Sequence, residues 1–459
     1  MSELLKVAAA LRRMSDEKLQ NLITQRMVNS GQLVDFFDLA EAITKPTSVS
    51  ATIAGLPLSQ AREIRSLADG NAANAKIAQD LADQLLVSPA PEFELFDSTR
   101  ESLIEFAKLN PASLNTVSIV TVASTDAPAQ AQIDADAGIE IFETLQAITE
   151  LIFDLEHRYV REVGRRSVGL PDLKRLATHL RKTTDYAKQI YELAHLANLI
   201  TLADGRWQLS TGSESWLSWS PAERFASLAK TWREILGDAS SSELQASLKK
   251  HSGVISLDQQ LRLTYPFADG SVNSKITKLA SLAALIGLAS AGWMSSWTTK
   301  VLTCDYLPAA KLAAAKLPEP QRRLICQADL SLIAPGPLPT DVEIAIRRFA
   351  DTEQIGMAST YRLSALSLSH GLETGLAVNE IRTLLLELSD KDLPQPIEYL
   401  LKEAESRFGR LVILGGGDDE RTYLKSEDGA LIAEILNESK LKPRSEERRV
   451  GKECLRLCR

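Results

Sequence analysis

A chain of 459 residues exceeds what a single hydrophobic core serves and predicts three or four domains. With 44% hydrophobic and 24% charged residues it can bury real cores, which excludes disorder of the whole chain, and its Ala, Leu, Glu, Lys and Arg content favours helix. The net charge is −8, and four cysteines and five scattered histidines make no zinc or disulfide pattern, so no metal and no cofactor are expected. Met1 to Lys6 carries an acid and no apolar run ahead of Arg12 and Arg13, so no secretory signal is expected. The expected location is the cytoplasm, and the nucleoid if the protein binds DNA. The longest apolar run, Leu279 to Trp293, has 15 residues, short of the ~20 that cross a bilayer; it predicts a buried helix and no membrane contact.

In chain order, three short amphipathic segments come first: Asp35 to Ile43, Ser48 to Gly55 and Pro57 to Asp69. Lys45-Pro46-Thr47 and Gly55-Leu56-Pro57 separate them, and Val49, Ile53 and Leu56, then Ala61, Ile64 and Leu67, mark the buried faces. This predicts a compact unit of helix-turn-helix type. Val117 to Val122 reads as a strand, and the Ala/Pro/Asp-rich stretch 123–136 reads as a linker.

Ile141, Leu145, Ile148, Ile152 and Leu155 then recur at helical spacing and predict a long helix. Pro171 suits the first turn of the next helix, whose apolar face is Leu173, Leu176 and Leu180. Thr183-Thr184 caps a second helix with Ile190, Leu193 and Ala197 inward. Ile200, Leu202, Trp207 and Leu209 flank Asp204-Gly205, a pair that supplies the positive φ angles of a tight hairpin. Helix, turn, helix, hairpin is the order of a winged helix. Ser220-Pro221-Ala222-Glu223 opens a further helix with a capping box.

Helices are expected again from Leu257 to Pro318. After Pro318, Leu324 to Ala334 reads as a buried strand, Pro335-Gly336-Pro337 as a turn, and Thr340 to Glu343 as a capping box that opens a helix. Tyr361-Arg362-Leu363 suggests a strand. Val378, Ile381, Leu385 and Leu388 fill one face of a helix, a second helix runs from Pro396 to Phe408, and a strand is expected at Arg410 to Leu414.

The chemistry of an ATP-driven motor is not evident. No G-x-x-x-x-G-K-[ST] loop occurs, and Gly415-Gly416-Gly417 lacks the lysine and precedes Asp418, Asp419 and Glu420, so it reads as a solvated loop. No G-x-S-x-G elbow, H-E-x-x-H helix or paired catalytic carboxylates stand out, so no enzymatic activity is expected.

One constellation implies a partner. From His157 to Lys188, nine Lys/Arg face three acids in an otherwise acidic chain. Positive charge gathered on and before a helix-turn-helix is what phosphate binding requires, because each neutralised phosphate releases counterions. DNA is the expected partner, contacted by Arg165, Arg166, Lys174, Arg175, Arg181, Lys182, Lys188 and Gln189, with Arg206 on the hairpin near the backbone. Asp185 and Glu192 argue against tight docking of the second helix. The competing reading is that these cations solvate helix surfaces and pair with acids, in a module that docks protein.

Gln327-Ala328-Asp329-Leu330, Pro335-Gly336-Pro337-Leu338, Tyr361-Arg362-Leu363, Leu393-Pro394-Gln395-Pro396 and Arg407-Phe408-Gly409-Arg410 resemble bacterial helicase-associated proteins carrying the XPB-type helicase N-terminal domain. Gly169-Leu170-Pro171, Asp204-Gly205-Arg206-Trp207 and Pro221-Ala222-Glu223-Arg224 resemble the same family. In XPB-type helicases this domain does no chemistry and docks onto a non-catalytic subunit of a transcription and repair factor. The resemblance therefore implies a protein contact and no helicase activity of this chain itself.

The segment Arg444 to Cys454 resembles the conceptual translation of a sequencing-library adapter. Residues 444–459 are accordingly expected to be foreign, with the native chain interrupted near Pro443 and a motor in a lost C-terminal part kept as a remote option. They hold six Lys/Arg and three acids, so residues 1–443 carry a net −11.

The expected fold class is mainly α with small β elements. Its layout is an N-terminal helix-turn-helix-like domain (1–122), the linker (123–136), a winged-helix domain (137–240), a helical connecting domain (241–318) and an α/β XPB-N-terminal-like domain (319–443). The expected function is that of a non-catalytic DNA-binding accessory or scaffold of an XPB-type helicase in DNA repair or transcription. The alternative is a winged-helix transcriptional regulator with no helicase partner.

Overall fold

The computed structural model describes residues 2–26, 28, 31, 33–109, 128–164, 166–249, 254–408, 411–416, 421–426, 428–437, 445–446 and 454–457. The chain is mainly helical with small antiparallel sheets. It opens with α1 (Glu3–Leu11), α2 (Asp16–Gln25), α3 (Phe36–Thr44), α4 (Pro46–Ala54), α5 (Leu58–Ala68), α6 (Ala75–Asp83) and α7 (Asp97–Leu109). There follow α8 (Gln130–His157), β1 (Val160–Val163), β2 (Ser167–Val168), α9 (Leu170–Leu180), α10 (Thr184–Leu196), β3 (Ile200–Ala203) and β4 (Arg206–Leu209). Next come α11 (Gly212–Ser218), α12 (Pro221–Leu236), α13 (Asp238–Leu248), α14 (Leu257–Thr264), α15 (Gly270–Leu285), β5 (Ala289–Ser290), β6 (Trp293–Met294), α16 (Thr298–Leu302) and α17 (Tyr306–Ala314). The last part holds β7 (Ile325–Cys326), β8 (Ser331–Ala334), α18 (Thr340–Arg347), β9 (Asp351–Gln354), β10 (Ser359–Arg362), α19 (Ala365–Glu373), α20 (Val378–Leu388) and α21 (Gln395–Arg407). It ends with β11 (Val412–Gly416), β12 (Arg421–Lys425), α22 (Gly429–Asn437), β13 (Ser445–Glu446) and β14 (Cys454–Leu457). The chain divides into two compact units, one of residues 1–159 and 189–318, the other of 160–188 and 319–459.

In the first unit, the amphipathic spacing of the N-terminal segments forms the expected helices. Val49, Ile53, Leu56, Ala61 and Ile64 are buried with Ala78, Leu81 and Leu86. Lys45-Pro46 does not leave a loop: Pro46 starts α4, where its missing N–H costs nothing. The stretch read as a linker, 123–136, instead gives residues 130–136 to α8, and Ile133 and Ala137 are buried. Among the described residues of the misread stretch only Ile133 and Asp134 are buried, too few for a period to show. The strand expected at Val117 to Val122 lies outside the described residues.

The crossing at α8 depends on two glycines. A Cβ on Gly138 would stand 2.5 Å from the Lys316 carbonyl oxygen, and one on Gly287 would stand 2.4 Å from Ile141 Cγ1 and 2.5 Å from the Ala137 oxygen. The Gly287 carbonyl in turn accepts from Trp297 Nε1 (2.9 Å) and Ser295 Oγ (3.0 Å). The apolar run Leu279 to Trp293 is therefore not one helix. α15 stops at Leu285, Gly287 turns the chain at φ +64°, and β5 and β6 pair with Ala289 opposite Met294. A continuous apolar run does not by itself distinguish buried helix from buried strand.

Several helices of this unit end in the same left-handed turn, and three of these turns lead into a hairpin. After α6, Leu85 has φ +54°, its N–H bonds Ala82 O, and Leu86 N–H bonds Leu81 O. After α10, Asn198 (φ +55°) bonds His195 O and Leu199 bonds Ala194 O. After α15, Gly287 bonds Ala284 O and Leu288 bonds Ala283 O. In each case the left-handed residue satisfies the last helical carbonyls and aims an apolar pair into a hairpin. The hairpins also close alike, by Phe96 N–H to Leu86 O, Ser210 N–H to Leu199 O and Ser295 N–H to Leu288 O.

The second unit has its own core. β7-β8-β10-β9 form an antiparallel sheet, and Leu332, Ala334 and Tyr361 are buried with Val342, Ile346, Phe349, Leu372, Ile381, Leu385, Ile397 and Leu401. The single strand expected over Leu324 to Ala334 is a hairpin, reversed at Leu330 (φ +72°). α18 has no Thr340 capping box, because Pro339 holds the N-cap position; Glu343 binds the buried Arg347 at 2.9 Å. Gly415 and Gly416 are not loop residues but lie in β11 opposite Thr422 and Arg421, while Gly417 lies outside the described residues. β14, from the adapter-like segment, pairs with β12, and β13 pairs with β14, in a separate antiparallel sheet of order β11-β12-β14-β13.

Candidate nucleic-acid interface

Within the second unit the basic segment begins with a hairpin that the sequence reading missed. β1 and β2 pair with Glu162 opposite Val168 and Val163 opposite Ser167, and Gly164 and Arg166 take the positive φ values of the turn. The available signal was Gly164 between two valine-containing runs. Arg166 is exposed, and its backbone N–H donates to Glu162 Oε1 at 2.6 Å. Arg165 lies outside the described residues.

α9 buries Leu173, Leu176, Ala177 and Leu180. The residues left over, Lys174, Thr178 and Arg181 at i, i+4 and i+7, form one exposed face. Arg181 terminates the helix at φ +50°. Arg175 is half-buried and its Nη1 donates to Asp172 Oδ1 at 2.6 Å, so this cation is already matched by a carboxylate. Lys182 is exposed with its ammonium 5.6 Å from the centre of the Tyr186 ring. Thr183 Oγ1 accepts from the Tyr186 N–H, the expected cap, and Lys188 is exposed on α10. The His179 carbonyl accepts from the Ile355 N–H (3.1 Å), which ties α9 to the chain just after β9.

Gln189 and Arg206 belong to the first unit. Gln189 is half-buried. Arg206 follows the turn that Asp204 (φ +51°) and Gly205 (φ +69°) make between β3 and β4, as the Asp-Gly pair predicted. Its guanidinium lies 4.0 Å over the Tyr159 ring, a platform not foreseen in the sequence, which fixes the plane of the cation beside an exposed aromatic face. Trp207 stands edge-on to Tyr191 and His195 and anchors the hairpin to the C-terminal half of α10. Of the two acids on α10, Glu192 pairs with Lys278 and Asp185 is exposed.

Five long cations of one short segment, Arg166, Lys174, Arg181, Lys182 and Lys188, are thus exposed, and no ion pair with a carboxylate is seen for Lys174 or Arg181 among the described residues. Such an array attracts polyanions over a Debye length of about 10 Å at 0.1 M salt. Among the described residues no three His, Cys, Asp or Glu side chains gather as a metal would need, and no helix is long and apolar enough to cross a membrane.

Residues 324–449 match the profile of a family described as the helicase conserved C-terminal domain. The match falls on the stretch whose motifs resembled a helicase-associated domain, although the description names a C-terminal domain where an N-terminal type was expected. No curated protein matches the chain. The second unit is therefore similar, over most of its length after residue 319, to a domain of helicases.

Proposed function

We propose that this protein is a non-catalytic, DNA-binding accessory or scaffold of an XPB-type helicase, acting in DNA repair or transcription. The observation that carries the reading is the exposed cation array on β1–β2, α9 and the start of α10. It leads, in chain order, into the helix-turn-helix-hairpin sequence of a winged helix. The array supplies sequence-independent affinity for phosphates. The domain similar to a helicase domain supplies the link to a motor. No phosphate-cradling loop with its lysine occurs in residues 1–459, so in this reading the motor lies outside them.

The reading is tested by unwinding of a forked duplex by an XPB-type helicase, with and without this chain. The chain alone is expected neither to hydrolyse ATP nor to unwind, and to raise the helicase's rate at limiting duplex concentration. The variant Lys174→Ala/Arg175→Ala/Arg181→Ala/Lys182→Ala is expected to lose that stimulation. ATP hydrolysis by the isolated chain overturns the non-catalytic half. Equal stimulation by the variant overturns the role of the cation array.

A further inference from the structure

The third helix–helix–hairpin in chain order, α14-α15-β5-β6, lies in a region where the sequence predicted only connecting helices. α14 packs on α15. The chain entering α14 pairs with the hairpin: Ser256 bridges Trp293, Met294 N–H bonds Ile255 O at 2.9 Å, and Leu257 N–H bonds Gly292 O at 2.8 Å. The entering chain thus bridges β6 of the two-stranded sheet β5-β6. The Ala291-Gly292 turn is exposed and carries almost no side-chain bulk.

α15 buries Val272, Ile276, Leu279, Leu282 and Ala283. It exposes Ser271, Ser274, Lys275, Thr277 and Lys278. Among the described helices of ten or more residues, α15 alone contains no Asp or Glu. The corresponding helices of the other two repeats are not so equipped: α6 carries Asp80 and Asp83, and α10 carries Asp185 and Glu192. A helix in the major groove runs between two rows of phosphates, where each carboxylate is repelled and hydroxyl, amide and ammonium donors find acceptors.

We propose that α15, not α10, is the helix of this chain that enters the major groove of duplex DNA, a contact site distinct from the cation array. The proposal rests on the reading that the chain binds duplex DNA. Asp269 already occupies the N-terminus of α15, its carboxylate accepting from the Val272 N–H (2.9 Å) and the Ser271 hydroxyl (2.7 Å). The phosphate and base contacts therefore fall along the side of the helix, at Ser274, Lys275 and Lys278. Lys278 is held by Glu192 in the free protein, through a pair that is nearly half exposed on both sides. Binding exchanges Glu192 for phosphate, and Glu192 acts as a competitor for the site.

The experiment measures the anisotropy of a labelled duplex of about 25 base pairs, enough for two helical turns, with the full chain at about 0.1 M salt. Lys275→Glu is expected to weaken binding about tenfold or more, and Lys275→Ala to weaken it several-fold and reduce the salt slope by about 1. Glu192→Gln is expected to tighten binding several-fold, an outcome that damage to the fold does not imitate. An RNA duplex of the same sequence should gain nothing from Glu192→Gln, because its deep major groove does not admit the helix. Unchanged affinity in the Lys275 and Glu192 variants, with weakened binding by the four-alanine variant, overturns the role of α15 and leaves the proposed function standing. Absence of any salt-dependent duplex binding by the unmodified chain overturns both.

Discussion

Replacing Gly287 by Ala tests how closely α15 and its hairpin are pressed against α8. Two costs add at this position. A non-glycine residue at φ +64° pays about 1–2 kcal/mol for the left-handed conformation. The new Cβ also meets Ile141 Cγ1 at 2.4 Å and the Ala137 carbonyl oxygen at 2.5 Å, so α8 or the hairpin must shift, at about 1–3 kcal/mol for an overpacked core. The sum is about 2–5 kcal/mol. Gly70 supplies the control: it has φ +82° with nothing within 4 Å of its Cβ position. Gly70→Ala should therefore cost only the conformational part; the stiffer unfolded chain lowers both costs alike, by about 0.4–1 kcal/mol. All six tryptophans, at 207, 216, 219, 232, 293 and 297, lie in the first unit, so urea unfolding followed by tryptophan fluorescence reads that unit. Equal midpoints for the two variants would refute the close approach at α8.

Three further outcomes follow from the packing. Gly371→Ala places a Cβ 2.8 Å from Phe349 Cβ and 3.2 Å from the Arg348 oxygen, so it should cost about 1–3 kcal/mol in the second unit. Far-UV circular dichroism should show earlier unfolding, while the tryptophan transition stays in place; a shift of the tryptophan transition alone contradicts the assignment. Arg26 is buried, its pKa pushed down to about 10 by desolvation, and its guanidinium donates to Ser48 O (3.1 Å) and Gln84 O (2.6 Å). Arg26→Met strands those carbonyls and should cost about 2–3 kcal/mol by the same fluorescence assay, with no loss contradicting a structural role. Burial pushes the Cys326 thiol up, so less thiolate forms at a given pH, whereas Cys304 is exposed. A maleimide at pH 8 should label Cys304 well before Cys326, as read by peptide mass; the reverse order contradicts the placement of β7.

What could be read from the sequence was what local chemistry determines. Asp204-Gly205 specified its hairpin because only a few residue pairs accept two positive φ angles in succession. Ser220 and Glu223 specified the start of α12 by bonding each other's backbone. The cations at 174, 181, 182 and 188, read as DNA contacts, are exposed. Tertiary context decided the remainder. Residues 130–136 looked like a linker because Ile133 is the one large apolar residue among them, although the same helix continues to Gly138, where the Lys316 carbonyl comes close. The turn at Gly287 was hidden inside a continuous apolar run, and with it the third helix–helix–hairpin unit. Arg175 was counted as a phosphate ligand because spacing alone does not reveal that Asp172 holds it.

The dependence of duplex affinity on salt tests the central claim most directly. With five exposed cations at 166, 174, 181, 182 and 188 engaged, log Kobs should fall against log salt with a slope of about −4 or steeper. The four-alanine variant at 174, 175, 181 and 182 should flatten that slope by about 3 rather than 4, because Arg175 stays with Asp172. A slope near zero for the unmodified chain, or an unchanged slope in the variant, would contradict the account.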